Sequence, residues 1–424
     1  MTRYAIVGLG SRAELFARAL ANSPRAELVA FCDRNETRMR VHNGWLGTSV
    51  PCYRPDDFAV MLVKERVDVV VVCTPDHTHA HYVAGALGGG CDVVTEKPMT
   101  TDVDGARLIL AARRVTGRSV RVAFNYRYNP VHRRVRELLA AGAIGEVGSV
   151  EFSWLLDTAH GADYFRRWHR DKDRSGGLLV HKSGHHFDLV NWWLGSGPET
   201  VFALGGLVFY GEENGRRHGH ATGYARGTGE PAARDDPFAL DLDRSPRLRA
   251  LYRDAEAEDG YLRDRNVFSP GVTIEDDLSV LVRHRNGVVL NYHLHAYSPR
   301  EGYRVAFAGS EGRLELDVRE NVHAGAADRP ARARLTVQRH WAAPEVVLDV
   351  RLGEGHGGGD ERMLAELLGD ADPDPLGCAA DHDDGLRALL TGLAANRSLI
   401  TGESVGIRGL LDEIGATGHR PGDR

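Results

Sequence analysis

The sequence predicts an α/β domain with a doubly wound parallel sheet, followed by an α+β domain built on an open, mostly antiparallel sheet. Three observations lead there. Short apolar runs alternate with helical patterns through residue 124, a glycine turn separates the first run from the first helix, and beyond residue 147 strand-like runs follow one another with few helices between them. A chain of 424 residues also suits two cores better than one. Its 53 basic and 59 acidic residues leave a net charge of -6 with no block of like charge, which argues against nucleic acid or an anionic membrane as partner and for a small molecule.

Tyr4–Val7 reads as a buried parallel strand leading into Gly8-Leu9-Gly10-Ser11-Arg12-Ala13 and a helical pattern through Leu20. The spacing is G-x-G-x-x-A. Gly8 allows the tight turn, Gly10 lets a pyrophosphate approach the backbone, and Ala13 permits close packing of helix on strand. A second strand, Glu27–Cys32, ends in Asp33, where a carboxylate accepts from both hydroxyls of a ribose. Asp33 would repel a 2′-phosphate, so NAD is the expected cofactor, with NADP left open by the neighbouring Arg34.

Asp56–Glu65 reads as a helix and Val67–Cys73 as a fully buried strand, with Thr74-Pro75-Asp76-His77-Thr78-His79 at its carboxyl end. That end faces the ligand crevice of a doubly wound sheet, and His79 is expected near the nicotinamide, with His77 and His81 at the surface. A helix over His79–Leu87, a strand over Cys91–Thr95, a helix over Val103–Val115 and a strand over Ser119–Phe124 complete the alternation. Glu96-Lys97-Pro98 closes the Cys91–Thr95 strand, so Lys97 also stands at a carboxyl edge. The chain has only four lysines, Lys64, Lys97, Lys172 and Lys182, against many arginines. Chemistry that needs an ammonium able to give up its proton cannot use Arg, which makes a Lys in a motif informative.

Asn125-Tyr126-Arg127-Tyr128-Asn129-Pro130 marks the crossing to the second domain. A helix over Pro130–Ala141 precedes strand-like runs at Val147–Leu156, Val201–Phe209, Leu278–His284, Val288–Tyr297, Arg304–Gly309 and Arg313–Asp317. Tyr210–Ser269 is polar and rich in Gly and Arg, a loop-rich insertion whose Tyr252, Tyr261 and Phe268 point to partial order. Gly355-His356-Gly357-Gly358-Gly359-Asp360 introduces helical segments through Ala395. The five cysteines lack paired or metal-type spacing and read as reduced thiols. The apolar run Tyr4–Leu9 is too short for a signal-peptide core, and no later run would span a bilayer, so a cytoplasmic protein is expected.

Ser175–Asp188, SGGLLVHKSGHHFD, carries three histidines, a lysine and an acid after a Gly-Gly turn. On one amphipathic helix, His181, His185 and Asp188 would form a polar stripe at i, i+4 and i+7, packed around by Leu179, Phe187, Val190 and Trp193. The stripe has three readings: core histidines satisfied by hydrogen bonds, acid/base chemistry, or a divalent ion on His181 and His185 with Asp188, His169 or His356 as third ligand. No metal is the expected outcome.

With these residues assembled, the chain resembles the glucose-fructose oxidoreductase/inositol dehydrogenase family, Gfo/Idh/MocA, over most of its length. The resemblance rests on Gly8-x-Gly10, Thr74-Pro75 with His79, Glu96-Lys97-Pro98, Arg127 with Pro130, and the Gly-Gly helix ending His185-x-x-Asp188. It implies a Rossmann domain over residues 1–124 and a substrate-binding and oligomerisation domain over 125–424, interrupted by the insertion at about 210–269. It implies an NAD(P)-dependent oxidoreductase that moves a hydride between a carbinol of a sugar, cyclitol or glycoside and nicotinamide. The catalytic lysine falls on Lys97 and the catalytic histidine on His185, with His181 beside them. The implied cofactor residues are Gly8, Gly10, Ser11 and Arg12 of the turn, Asp33 and Arg34 after the second strand, and Thr74, Pro75, His79, Glu96 and Lys97 at the later strand ends. Substrate contacts fall on Lys97, Tyr126, Arg127, Trp168, Lys182, His185 and His186. A homo-oligomer, dimer or tetramer, is implied through the C-terminal sheet.

One departure stands out. His181 and Ser183 occupy positions where the family carries an acid and a glycine, and the form HKSGHHFD is similar to that of a subgroup associated with glycosides. Two rival readings follow: a redox-neutral glycoside-cleaving enzyme that keeps NAD bound through a transient keto-sugar, and a dinucleotide-sensing regulator. Lys97 and His185 argue against the regulator, which has no use for a proton relay.

Overall fold

The structure, a computed structural model, describes residues 1–322, 331–352, 354–369 and 374–416. Six short strands, β1 (Thr2–Val7), β2 (Ala26–Cys32), β3 (Cys52–Tyr53), β4 (Val69–Val72), β5 (Asp92–Thr95) and β6 (Val120–Val122), pair in parallel in the order β3-β2-β1-β4-β5-β6. The apolar runs explain this. Ala5, Ile6, Val7, Val70, Val71 and Val72 are all but inaccessible because helices cover both faces of the sheet. Those helices are α1 (Ala13–Asn22), α2 (Glu36–Leu46), α3 (Phe58–Lys64), α4 (His79–Gly88) and α5 (Val103–Thr116). The strand order reverses between β1 and β4, so a crevice opens beyond their carboxyl ends, where ligands of such sheets bind.

The glycine turn after β1 behaves as its spacing requires. Gly8 has φ +86°, and a Cβ there would lie 2.6 Å from the backbone nitrogen of Thr74, so any side chain would push the turn off the end of β4. Asn35 caps α2 by accepting from the Arg38 amide, and Asp102 caps α5 by accepting from that of Gly105.

After α6 (Pro130–Ala140) the chain builds a nine-stranded sheet from β7 (Val147–Asp157), β8 (Pro198–Gly206), β9 (Asp277–His284), β10 (Val289–Ser298), β11 (Arg300–Gly309), β12 (Gly312–Val322), β13 (Arg332–Arg339), β14 (Glu345–Arg351) and β15 (Val405–Gly406). Its order is β14-β13-β12-β11-β7-β10-β9-β8-β15, antiparallel throughout except for the parallel pair β7–β10. β13 and β14 extend the sheet beyond the runs legible as strands; β14 is its edge strand and has no buried residue.

Between β7 and β8 lie α7 (His160–Arg166), α8 (Gly177–His181) and α9 (Ser183–Leu194). Here the structure corrects the single amphipathic helix. The helix breaks at Lys182, and residues 177–193 are buried on every side, so no solvent-facing stripe exists. Gly176 and Gly177, with φ +70° and +74°, make the sharp entry; a Cβ on Gly176 would lie 2.7 Å from Cβ of Val180. Further on, α10 (Glu354–Leu367) packs on the Asn125–Tyr128 turn, and α11 (His382–Thr401) packs on α8, α9 and β8.

The insertion is more ordered than its composition suggests. It forms short helical turns, including Glu212–His218, Arg249–Arg253 and Glu256–Asp259. Leu242, Leu251 and Tyr252 make a small apolar cluster with Val41 and Trp45 of α2, separate from the main core. A loop-rich segment of the second half of the sequence is thereby seated on the first sheet's outer helix. Among the described residues, no helix is long and apolar enough to cross a membrane. All five cysteines are free thiols.

Candidate active site

The carboxyl ends of β1, β2, β4 and β5 form one wall of a cavity of about 520 Å³, and α7, α8, α9 and the insertion form the opposite wall. All the expected cofactor residues line it: the turn residues Gly8, Gly10, Ser11 and Arg12; Asp33 and Arg34 after β2; Thr74, Pro75 and His79 after β4; Glu96 and Lys97 after β5. At Gly10 a Cβ would meet nothing closer than the Tyr252 hydroxyl at 3.8 Å, so the space this glycine leaves is open cavity. A glycine turn open to the cavity, with an acid at the end of the next strand, fits a dinucleotide.

Asp33 is held by the backbone. Its carboxylate accepts from the amides of Leu9 at 2.5 Å and Asn35 at 2.8 Å, and burial pushes its pKa up. Arg12 reaches from the turn to Glu96 and, at 2.8 Å, to Asp360 of α10. Asp360 also accepts from Asn125 at 2.8 Å, which ties the C-terminal helix to the cofactor turn and gives the glycine-rich 355–360 run a purpose. The side chain of His356 lies outside the described residues. His79 is buried between the carbonyls of Pro98 and Thr74, at 2.7 and 2.9 Å, pinning the loops after β4 and β5 to each other. His77 and His81 are exposed, His77 at the cavity wall.

Lys97 extends into the cavity from the β5 edge, next to a cis bond to Pro98. Its Nζ stands 3.2 Å from Nε2 of His181 and 3.1 Å from the His181 carbonyl oxygen. Nδ1 of His181 in turn faces Oδ2 of Asp76 at 2.5 Å, so the buried Asp76 and His181 and the half-buried Lys97 form a chain, Asp76–His181–Lys97. With Nδ1–H donated to the carboxylate, Nε2 presents a lone pair to the ammonium. Burial lowers the Lys97 pKa to about 8, against the opposing pull of Asp76 and Glu96. Burial also holds His181 well below its ordinary value, with Lys97 adding to the effect, so the ring is neutral. For Asp76 burial pushes the pKa up and Lys97 opposes it.

His185 lines the cavity one turn beyond His181 and stacks on Tyr126, rings 4.6 Å apart and 17° from parallel, with Phe124 edge-on at 5.9 Å. Trp154 also stacks with Tyr126, rings 5.8 Å apart. Lys182 places Nζ 4.6 Å over the Trp154 ring and 3.4 Å from the Tyr126 hydroxyl, and burial lowers its pKa. Trp168 and His169 stack at 3.7 Å, and His169 meets His181 edge-on at 4.1 Å.

Two expected substrate residues lie elsewhere. Arg127 is absent from the cavity wall: its guanidinium is buried and forked onto Asp188 at 2.5 and 2.8 Å, with Asp384 at 3.2 Å. Asp188, the third member of the expected stripe, is thus consumed in the core, and the ion pair joins the Asn125–Tyr128 turn to α9 and α11. His186 is stacked on Trp154 at 4.1 Å and bonded through Nδ1 to the Tyr292 hydroxyl at 2.7 Å, a core histidine. Nor do His181 and His185 gather a metal-ligand set. Both ring nitrogens of His181 face protein partners, and among the described residues the one compact group of three His, Cys, Asp or Glu ligand atoms is Asp381, His382 and Asp383.

Sequence reading missed Asp76, His160, Tyr164, Arg167, Tyr252 and Tyr261, all of which line the cavity. Asp76 had a signal, its place at the carboxyl end of β4. Tyr252 and Tyr261 sit in a segment with no periodic pattern, and only the fold brings them to the cavity, Tyr252 against residue 11.

Residues 2–124 match the family model described as the GFO_IDH_MocA oxidoreductase family, NAD-binding Rossmann fold, and residues 136–340 match its C-terminal alpha/beta domain. YteT of Bacillus subtilis, named as an oxidoreductase, is 33% identical over 97% of this chain and 99% of its own. An inositol 2-dehydrogenase of Rhizobium meliloti is 29% identical over a match spanning 49% of this chain and 59% of that protein. In fold, the chain is similar to an oxidoreductase from Agrobacterium radiobacter solved in complex with NAD+, L-tartaric acid and magnesium, with a TM-score of 0.62 at 17% identity over 97% of this chain and 99% of that one.

Proposed function

We propose, from the premise that the chain belongs to the Gfo/Idh/MocA oxidoreductase family, that it is an NAD-dependent enzyme transferring a hydride between nicotinamide and a carbinol carbon of a sugar, cyclitol or glycoside. The observation that carries this reading is the meeting of Lys97, His181 and His185 in the same cavity as the Gly8–Gly10 turn. Bound NAD would supply the hydride acceptor at the nicotinamide ring. Gly10, Ser11 and Arg12 would hold its pyrophosphate and Asp33 its ribose diol.

The chain's own residues supply the rest. The Lys97 ammonium, half-buried at the cavity wall and next to neutral His181, can donate to the reacting oxygen and polarise it. His185 can take the hydroxyl proton as the carbon gives up its hydride. Tyr126 fixes the plane of the His185 ring by stacking, and Trp168 and Lys182 offer an apolar face and a cation to the remaining ring hydroxyls. Exposed Leu204, Leu281 and Val289 on β8, β9 and β10 support assembly of like subunits through the open face of the large sheet.

A second reading, redox-neutral cleavage of a glycoside with NAD retained, draws on the insertion contact with the cofactor turn, where the Tyr252 hydroxyl accepts from the Ser11 amide at 3.0 Å. NADH absorbance followed against a panel of free sugars, cyclitols and glycosides, with sugar release measured in parallel, separates the two. Net NADH formation supports the dehydrogenase, and sugar release without it supports the second reading. An absence of both, with no dinucleotide bound, removes the proposal.

A further inference from the structure

The insertion does more than roof the cavity. Arg247 reaches back to Oγ of Ser11 at 2.6 Å and to Glu14 at 2.7 Å. Asn35 donates to the Ala255 carbonyl at 2.9 Å, Arg38 to the Leu251 carbonyl at 3.1 Å, and Glu258 accepts from the Glu36 amide at 2.6 Å. These contacts run along the glycine turn and the first turn of α2, the two places that would meet the pyrophosphate and the adenosine ribose.

Asp259 matters most among them. Its carboxylate is 2% exposed and lies 2.7 Å from Nη1 of Arg38 and 3.4 Å from Nε of Arg34. Arg34 and Arg38 line the cavity beside Asp33, and if Asp33 holds the adenosine ribose they are the cations next to its 2′ position. Resting on the dinucleotide reading above, we infer that residues 242–261 form part of the cofactor site and that Asp259 sets its preference for NAD over NADP. A 2′-phosphate would have to compete with the buried Asp259 carboxylate for Arg38 and Arg34, and it would stand near two acids, Asp33 and Asp259. A ribose diol asks for neither, since Asp33 accepts its hydroxyl protons directly. The discriminating charge therefore arrives from a segment more than two hundred residues away, and it sits 3.4 Å from the half-exposed Arg34, the residue that resembles an NADP ligand.

Calorimetry of NAD and NADP against the full chain tests this. Wild type should favour NAD, and Asp259→Asn, which keeps an acceptor for its partners but not the charge, should raise the NADP-to-NAD affinity ratio by about tenfold or more. Asp259→Glu should keep the wild-type ratio, and adding Arg34→Ala to Asp259→Asn should take the gain back. Asp259→Ser carries the same expectation as Asn and stands in if melting shows the Asn variant unfolded. The inference is overturned if wild type binds NADP as tightly as NAD, or if a folded uncharged variant keeps the wild-type ratio while still binding NAD. Failure of wild type to bind either dinucleotide would instead remove the proposed function itself.

Discussion

Nζ of Lys97 stands 3.2 Å from Nε2 of His181, so the ammonium at the end of β5 and the imidazole at the end of α8 share one hydrogen bond across the two halves of the cavity. Removing Lys97, or His185 beyond it, should be costly to chemistry and not to cofactor binding. Lys97→Ala and His185→Ala should each lower turnover on the order of a hundredfold or more while the protein still binds NAD by calorimetry. Near-normal turnover in either variant would break the assignment of roles.

The pH profile should carry the mark of Lys97. With its pKa lowered to about 8 by burial, the group is an ammonium below that pH and an amine above it, so a step needing the ammonium loses rate as pH rises through about 8. Asp76 opposes the lowering, and removing its charge makes the ammonium less favourable. Asp76→Asn should therefore move the basic limb of kcat/KM to lower pH; an unmoved limb would mean that Lys97 does not feel Asp76.

A chelator separates proton relay from metal chemistry. Because both nitrogens of His181 already face protein partners, exhaustive chelation should leave activity intact. A stoichiometric divalent ion that departs together with activity would overturn this.

His181→Asp should retain measurable activity with a shifted pH profile, since a carboxylate there would stand beside Lys97 in place of a neutral ring and favour its ammonium. In this structure, however, the new carboxylate would face that of Asp76. The double variant Asp76→Asn/His181→Asp, which leaves one acid in place of two, should therefore recover much of the activity the single variant loses. Equal activities in single and double variants would show that the two positions are not coupled.

Arg127 should prove to be a structural residue. Arg127→Ala strands Asp188 as an unpaired carboxylate in the core and should cost about 3–5 kcal/mol of stability, read as a lower melting temperature. A selective rise in KM with unchanged melting would return Arg127 to the substrate site.

How much of this was legible in the chain depends on where each signal lies. Gly8, Gly10 and Asp33 declare themselves because their spacing is local, and the β4 and β5 edges follow from runs such as Val69–Val72 that only a sheet covered on both faces can bury. The stripe of His181, His185 and Asp188 misled because spacing assumes a continuous helix, and the break at Lys182 depends on how α8 and α9 pack. Asp188 and His186 are polar residues in a polar-looking run, yet the core takes both, one through Arg127 and one through Tyr292. Asp76 and Tyr252 act through partners 105 and 241 residues away, and no local pattern encodes such a pairing.

The small cluster of Leu242, Leu251 and Tyr252, set apart from the main core, has a thermodynamic consequence. So few apolar side chains make a weakly held cooperative unit, one that opens at a free energy below that of global unfolding. The Glu36 and Thr37 amides donate to Glu258 of that unit, so their hydrogen exchange and that of residues 242–261 should share a single subglobal opening. A dinucleotide that contacts the closed unit alone draws on the same equilibrium, and its binding should slow exchange across both stretches in proportion to its concentration.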